Sequence, residues 1–157
     1  MTEDAATNSI GNYGSQSLNE MIKKLSATSD PKRRYEYILW LAKKLPNLPE
    51  ESRTEAIKVK GCVSQVFVCG ELKDREMQWK GYSDALITRG LLAFLIQGLS
   101  NLTPEEVLGI KPDFIKATGL QGSLTTSRAN GFLNIFLAMQ KQAQSLKEIS
   151  RKFSTAS

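Results

Sequence analysis

The sequence predicts an α+β fold in which a small, three-stranded antiparallel sheet packs against helices. Apolar residues recur with helical spacing in both the N-terminal and the C-terminal parts of the chain. Between them lies a region rich in β-branched and aromatic residues, where apolar side chains run together or alternate as strands require. Because 157 residues suit one domain with one sizeable core, we expect a single domain over residues 17–152.

The N-terminal part is predicted to contain a disordered arm followed by two helices. Residues 1–16 are polar and rich in Gly, Ser and Asn, which is typical of disorder. In the first helix Ser17 is the predicted N-cap, and Glu20 completes a capping box. The second helix is predicted to start at Asp30 and Pro31, an N-cap followed by proline at the first helical position.

Three short segments in the middle of the chain are the predicted strands. Residues 57–59 indicate a short first strand, which ends at a corner at Gly61. Residues 63–69, VSQVFVC, have the β-branched and aromatic composition of a strand. After a predicted loop over 70–74, residues 76–82 alternate polar and apolar side chains, as a half-exposed antiparallel strand does.

A buried central helix is predicted after the strands. It is expected to be capped by Ser83 and Asp84, to run to about Gln97, and to lie in the core because it is apolar on nearly every side. Gly90 within it predicts close packing, since a glycine there otherwise costs ~1 kcal/mol. Further helices are expected to begin at Thr103, near Pro112 and near Thr126, and residues 153–157 to form a flexible tail.

The chain has no histidine and only two cysteines, which excludes several kinds of site. Without histidine there is no Ser-His-Asp or Cys-His nucleophile and no ordinary zinc or non-haem iron site. Two thiols cannot close a four-thiolate site within one chain, so we expect neither a metal nor a bound cofactor. A disulfide is excluded if residues 63–69 form a strand, because Cys62 and Cys69 would then lie ~23 Å apart.

Charge and hydropathy limit the partners and the compartment. A net charge of +5 favours an acidic partner surface, but no aromatic-rich basic motif indicates nucleic acid. No segment is apolar over the ~20 residues that a membrane span needs. The N-terminus resembles neither a secretory signal nor a normal transit peptide. We expect a bacterial cytoplasm, or a plastid stroma if a transit peptide has been removed.

Cys62 is the candidate reactive residue. It follows Gly61 at the predicted corner, and Lys58 and Lys60 precede it. Positive neighbours raise the thiolate fraction whereas burial lowers it, so a reactive thiol and a small buried side chain both remain open. Thiol–sulfur exchange suits the chain, because it requires only a thiolate, an approach path and an activated sulfur. Cys69 is predicted to be a small hydrophobic side chain at a strand end.

Five stretches of the sequence match one family pattern: residues 33–38, 59–68, 83–91, 102–106 and 124–131. From about Leu18 to Ala143 the sequence therefore resembles the SufE family of sulfur-acceptor proteins. Residues 130–136 look most like cyanobacterial and plastid members. The sequence departs from the family pattern at Tyr82, where Asp is common, and at Thr126, where Pro is common.

This resemblance implies a two-layer fold like that of iron–sulfur scaffold proteins and a function as a persulfide carrier. A SufS-like cysteine desulfurase, which carries the pyridoxal phosphate, passes its persulfide sulfur to the thiol that matches Cys62, and a SufBCD-like scaffold complex receives it. The protein would be a sulfurtransferase-like carrier and desulfurase activator rather than a stand-alone enzyme, present as a monomer or weak homodimer. In resting family members this cysteine lies in an apolar cavity and swings out for transfer.

The resemblance also implies supporting residues around the thiol. Gly61, Ser64, Gln65, Asp84 and Arg128 match family positions near its loop. Asp84 and Arg128 are expected to hold or polarise the loop, although Asp84 could equally cap its helix and Arg128 could equally form a structural ion pair. Three other interpretations remain: an iron–sulfur scaffold, which would use several cysteine ligands; a redox-sensing thiol, which would want a resolving cysteine; and a basic binding module in which the thiol is incidental.

Overall fold

The computed structural model describes residues 12–156, with side chains through residue 152. Its α+β architecture confirms the predicted fold class. A two-stranded antiparallel sheet packs against helices, and short 3-10 turns lie at Glu50–Ser52, Glu55–Ile57 and Leu120–Gly122. The regular elements are α1 (Gln16–Ser26), α2 (Pro31–Ala42), β1 (Val66–Lys73), β2 (Glu76–Ser83), α3 (Leu86–Leu99), α4 (Pro104–Gly109), α5 (Phe114–Ala117) and α6 (Thr126–Ala156).

Helix α3 occupies the centre of the fold, which confirms the prediction of a buried central helix. It contacts α1, α2, α6 and β2. Close packing at Gly90 is also confirmed, because a Cβ added there would overlap the carbonyl oxygen of Ile38 in α2. On the α6 side, Phe94 meets Phe132 edge to face with ring centroids 5.8 Å apart. These contacts form the core that supports both the sheet and the N-terminal half of α6.

The first helix is capped by Ser15, so the prediction of Ser17 as its N-cap is wrong. The Ser15 hydroxyl accepts a hydrogen bond from the N–H of Leu18 at 3.2 Å. Both serine hydroxyls donate to backbone carbonyls near the end of α3, and Ser17 is already inside the helix. The predicted cap of α2 is confirmed, because the Asp30 carboxylate accepts from the N–H of Lys32 at 3.0 Å.

Helix α3 has Ala85 at its N-cap, so the predicted cap by Ser83 and Asp84 is wrong. Ser83 is buried at the end of β2, and Asp84 binds a different segment of the chain, as described below. The helix also runs on to Leu99, two residues beyond the predicted end. The predicted start of the next helix is confirmed, because Thr103 forms a capping box at the N-terminus of α4.

The sheet has two strands in the described part of the chain, and the prediction of three is wrong. The segment predicted as the first strand forms the 3-10 turn Glu55–Ile57 and then a single antiparallel bridge between Lys58 and Phe67. The N–H of Val59 donates to the carbonyl of Val66 at 2.8 Å, and the chain then leaves the sheet.

The side chain of Gln142 explains why no further strand is needed along β1. Its amide nitrogen donates to the carbonyl of Val68 at 2.7 Å, and its carbonyl oxygen accepts from the N–H of Gly70 at 2.8 Å. Val66, Val68 and Gly70 are alternate residues of β1. The backbone groups of alternate residues point to the same edge of an antiparallel strand. Helix α6 therefore supplies through one side chain the hydrogen bonds that another strand would make.

The strand limits also differ from the prediction. Residues 63–65 precede the strand instead of forming its start, and the predicted loop over 70–74 is wrong because β1 continues to Lys73. The two-residue turn at Asp74 and Arg75 has positive φ at both positions, +53° and +69°, as a type I′ hairpin requires. The prediction of an antiparallel strand after this turn is confirmed by β2.

Part of the predicted N-terminal arm, residues 1–11, lies outside the described residues. Within residues 12–16, Tyr13 packs against the core and its N–H donates to the side chain of Asn19 at 2.7 Å. At the other end the backbone of α6 is helical through Ala156, across most of the predicted tail. Over residues 12–156 no helix has the length and apolar character needed to cross a membrane.

Candidate functional site

Cys62 lies in the thiol loop, residues 60–65, whose two ends meet at the edge of the sheet. The hydrogen bond from the N–H of Val59 to the carbonyl of Val66 closes the base of this loop. The bridge between Lys58 and Phe67 lies directly behind that bond. The chain therefore leaves the sheet and returns to it at one point, with the cysteine between the two ends.

Asp84 holds the second half of the thiol loop. Its carboxylate accepts a hydrogen bond from the N–H of Gln65 at 3.0 Å, and its own N–H donates to the Gln65 carbonyl at 3.3 Å. The hydroxyl of Ser64 lies 3.4 Å from that of Thr88 in α3. Of the two roles left open for Asp84, contact with the loop is the one observed, because the carboxylate does not cap α3.

Asn134 of α6 holds the first half of the thiol loop. Its side-chain N–H donates to the carbonyl of Gly61 at 2.8 Å. Gly61 has φ +81°, and a Cβ added there would lie 2.6 Å from the Asn134 amide nitrogen. Glycine is required at this corner both for its left-handed conformation and for the close approach of the amide.

The thiol of Cys62 points to the N-terminal half of α6. It donates a long hydrogen bond, 3.8 Å, to the carbonyl of Gly131, and the side chain is half-buried against the hydrophobic core. Burial raises the pKa of the Cys62 thiol, because it penalises the charged thiolate. The neighbouring Lys58 and Lys60 do not reverse this rise in the thiol pKa.

Arg128 lies exposed in the first turn of α6, three residues before Gly131. Its backbone N–H donates to the hydroxyl of Thr125 at 3.3 Å. Among residues 12–152, its guanidinium forms no hydrogen bond or ion pair with the thiol loop. The structure therefore brings together Cys62 and the predicted Gly61, Ser64, Gln65 and Asp84, and places Arg128 on the helix that faces them.

Three residues that bond the thiol loop were not predicted from the sequence as part of the site: Gly131, Asn134 and Thr88. They lie far along the chain from residues 60–65, so no local spacing connects them with the cysteine. A weak signal was present for two of them, since a glycine and an asparagine stand close together in an otherwise apolar stretch of α6. Only the packing of α6 beside the thiol loop gives these residues their roles.

Cys69 lies within β1, opposite Lys80, and both cysteines are free thiols. Burial is the main cause that raises the pKa of Cys69, Glu71 adds to the rise, and Lys80 opposes it. Among the described residues, no group of three or more Cys, His, Asp or Glu side chains could hold a metal ion. The chemistry available at the site is therefore that of one thiol.

The two positions that depart from the family pattern do not touch the thiol. Tyr82 packs under the guanidinium of Arg53, 3.5 Å from the ring centroid, with Arg89 at 5.3 Å. Thr126 is the first residue of α6. The face of the Tyr82 ring thus attracts the positively charged guanidinium groups of Arg53 and Arg89. An aspartate at this position would attract the same groups by its negative charge.

A groove of about 620 Å³ begins beside the thiol loop. One wall is the segment 55–60, and the other is the face of α6 from Asn134 to Ser145. Asn134 is shared between the groove and the loop, because it also holds the Gly61 carbonyl. The groove residues are Glu55, Ala56, Ile57, Lys58, Val59, Lys60, Asn134, Leu137, Ala138, Lys141, Gln142 and Ser145.

The sequence matches a family model described as SufE, Fe-S metabolism associated domain, over residues 19–143. An uncharacterised SufE-like protein of Synechocystis is 52% identical over 126 residues, which are 80% of this chain and 79% of that protein. SufE-like protein 1, chloroplastic/mitochondrial, of Arabidopsis thaliana is 40% identical over 83% of this chain. The cysteine desulfuration protein SufE of Plasmodium vivax is 39% identical over 76% of this chain.

These relatives confirm the predicted resemblance, including its cyanobacterial and plastid character. The match covers only 35% of the Arabidopsis protein and 49% of the Plasmodium protein, which are both much longer than this chain. The solution structure of a hypothetical protein from Thermus thermophilus matches with a TM-score of 0.72 at 22% identity, covering 83% of this chain and 96% of that one. That likeness supports the fold.

Proposed function

The chain belongs to the SufE family, and from this membership we propose that it accepts persulfide sulfur from a cysteine desulfurase onto Cys62. It stimulates the desulfurase by removing the sulfur and delivers that sulfur for iron–sulfur cluster assembly. The proposed donor is a SufS-like enzyme, to which the pyridoxal phosphate belongs, and the proposed receiver is a SufBCD-like scaffold complex. A cysteine desulfuration protein among the relatives supports the choice of donor.

The transfer step is a thiol–persulfide exchange. The Cys62 thiolate attacks the outer sulfur of the donor persulfide, a new S–S bond forms on Cys62, and the S–S bond of the donor breaks. The donor cysteine leaves as a thiolate, so charge is conserved and no oxidant or reductant is consumed. The step needs no general base of this chain once the thiol is ionised, which suits a site without histidine.

The observation that carries the proposal is that the backbone of the thiol loop is held by short hydrogen bonds, whereas the Cys62 thiol is held only by a long one. Asp84 and Asn134 hold the backbone on either side of Cys62 with hydrogen bonds of 3.0 and 2.8 Å. The thiol itself makes only a long contact with the Gly131 carbonyl. A side-chain rotation can therefore present the sulfur to a partner while the loop keeps its position.

The raised pKa of the Cys62 thiol favours sulfur transfer on contact with a partner protein over redox sensing. A sensor cysteine is a low-pKa, accessible thiol beside a resolving cysteine, whereas burial raises the pKa of Cys62. Contact with a partner that turns the thiol out of its half-buried position would remove that penalty. The thiolate would then form where the activated sulfur is present.

The test is sulfur uptake by the purified protein. It is incubated with a cysteine desulfurase, pyridoxal phosphate and cysteine, and its intact mass is measured without reductant. We expect a gain of one sulfur that dithiothreitol removes, that is absent in Cys62→Ser and that is retained in Cys69→Ser. If no host desulfurase produces the adduct and sulfide release does not rise, the proposed function is wrong.

A further inference from the structure

The groove beside the thiol loop is open to solvent and is aligned with the thiol. Its α6 wall runs from Asn134 to Ser145, which at about 1.5 Å per residue is ~16 Å of helix. Gly131, which accepts the thiol hydrogen bond, lies about one turn before Asn134 on the same helix. A chain lying in this groove would therefore have one of its ends next to Cys62.

The charge of the groove is predominantly positive. Lys58, Lys60 and Lys141 line it, and Glu55 is the acidic residue among its lining side chains. That carboxylate lies 3.9 Å from the Lys58 ammonium and is thus already balanced. The charges of Lys60 and Lys141 are left to attract an anionic occupant.

The lining of the groove also contains apolar side chains. Leu137 lines it with 45% of its surface exposed, and Ile57 and Ala138 lie in the same lining. A large apolar side chain that remains exposed in a groove lined by lysines is a suitable contact for one apolar residue of a bound segment.

We propose that this groove binds an acidic segment of the sulfur-delivering protein, adjacent in sequence to its persulfide cysteine and containing one apolar residue. The inference rests on the proposed function, because attack of Cys62 brings two sulfur atoms to a bond length of ~2 Å. The residues that flank the donor cysteine must then pass over the surface next to Cys62. The groove is a concave surface beside the thiol loop, and its lysines select acidic flanking residues over basic ones.

The probes for this inference are two short peptides that differ only in charge. Each has one central cysteine, activated as a mixed disulfide with thiopyridine, and one leucine; the other residues are mainly Glu and Asp in one peptide and Lys in the other. Attack by Cys62 joins the peptide to the protein and releases pyridine-2-thione, whose absorbance gives the rate. The protein is the full chain carrying Cys69→Ser, so that one thiol reacts.

We expect the acidic peptide to react about tenfold faster than the basic one at low salt, with a difference that shrinks as ionic strength rises. Lys141→Glu, on a helix residue distant from the thiol, is expected to slow the acidic peptide about fivefold. Lys116→Glu on α5 is the matched control, with the same charge change outside the groove. Dithiodipyridine, a small neutral reagent, reports the thiol itself, and the peptide rates are divided by its rate.

Equal normalised rates for the two peptides, or a rate for the acidic peptide that Lys141→Glu leaves unchanged, would overturn the inference. The inference would also be overturned if the two peptides reacted at equal rates while an oligonucleotide, or a second copy of this chain, bound the protein and lost that binding in Lys141→Glu. Sulfur uptake from the desulfurase separates the two proposals. Uptake that is as fast in Lys141→Glu as in Lys116→Glu refutes the groove assignment alone, whereas no uptake in the unaltered protein refutes the proposed function.

Discussion

The side-chain amide of Asn134 donates a 2.8 Å hydrogen bond to the carbonyl of Gly61, the residue immediately before Cys62. This bond joins helix α6 to the thiol loop across more than 70 residues of sequence. The conformation of Gly61, φ +81°, leaves its carbonyl turned towards the helix and leaves no room for a side chain. The position of the cysteine thus depends on a residue whose side chain bonds the backbone of the loop, whereas the thiol bonds the Gly131 carbonyl.

Asn134→Ala is expected to lower the free energy of unfolding by about 1 kcal/mol, the usual contribution of one hydrogen bond. Gly61→Ala is expected to cost about 1–3 kcal/mol, because alanine is strained at positive φ and its Cβ meets the Asn134 amide. Urea denaturation measures both changes. Gly122→Ala is the control, since no atom lies within 4 Å of its added Cβ; a loss as large in that variant would contradict the account.

The alkylation of Cys62 is expected to depend on pH with a midpoint above that of the same thiol in the unfolded chain. Burial raises the pKa of the folded thiol, so less thiolate is present at any pH below that value. The rate of iodoacetamide alkylation, followed by intact mass in Cys69→Ser, gives the midpoint with and without urea. A folded midpoint equal to or below the unfolded one would contradict burial as the dominant effect.

The same shift has a defined sign for stability. A thiol whose pKa is raised by folding contributes its full stability below the pKa of the unfolded thiol, and that contribution is lost as the pH rises through the raised pKa. The difference in unfolding free energy between the Cys69→Ser protein and a Cys62→Ser, Cys69→Ser double variant should therefore decrease on the alkaline side only.

Asp84→Ala is expected to release the second half of the thiol loop and to accelerate alkylation of Cys62. The substitution removes the acceptor of the Gln65 N–H, and because both residues are exposed the cost in stability should be about 1 kcal/mol or less. Asp84→Asn retains a carbonyl oxygen and should alkylate at nearly the original rate. Equal acceleration by both variants would instead assign the effect to the lost charge.

Gln142→Leu is expected to destabilise the protein by about 2 kcal/mol, because it leaves the Val68 carbonyl and the Gly70 N–H without their partner. The exposed strand edge should also make the variant self-associate at high concentration. Urea denaturation and sedimentation measure the two effects. Gln144→Leu, on the same helix but with an exposed hydrogen bond to Glu148, should change stability by no more than about 0.5 kcal/mol.

The fold class and the buried central helix were predictable because both follow from local information, and the same kind of information made Cys62 the candidate reactive residue. A long stretch that is apolar on nearly every side of a helix identifies α3, and β-branched residues identify the strand region. The absence of histidine reduces the chemistry to that of a thiol without reference to any contact. The strand count was wrong because residues 57–59 have strand composition, while the edge they would cover is satisfied by the Gln142 side chain.

The roles of Asp84 and Asn134 were decided only by the tertiary structure. Asp84 has the sequence position of a helix cap, yet its carboxylate bonds the Gln65 N–H, because β2 ends beside the thiol loop. Asn134 has no sequence signal that connects it with Gly61. Hydrogen bonds and burial depend on which distant segments the core brings together. For this reason the candidate nucleophile, Cys62, could be named from the sequence, whereas the cause of its pKa shift, its supports and the groove beside it required the folded molecule.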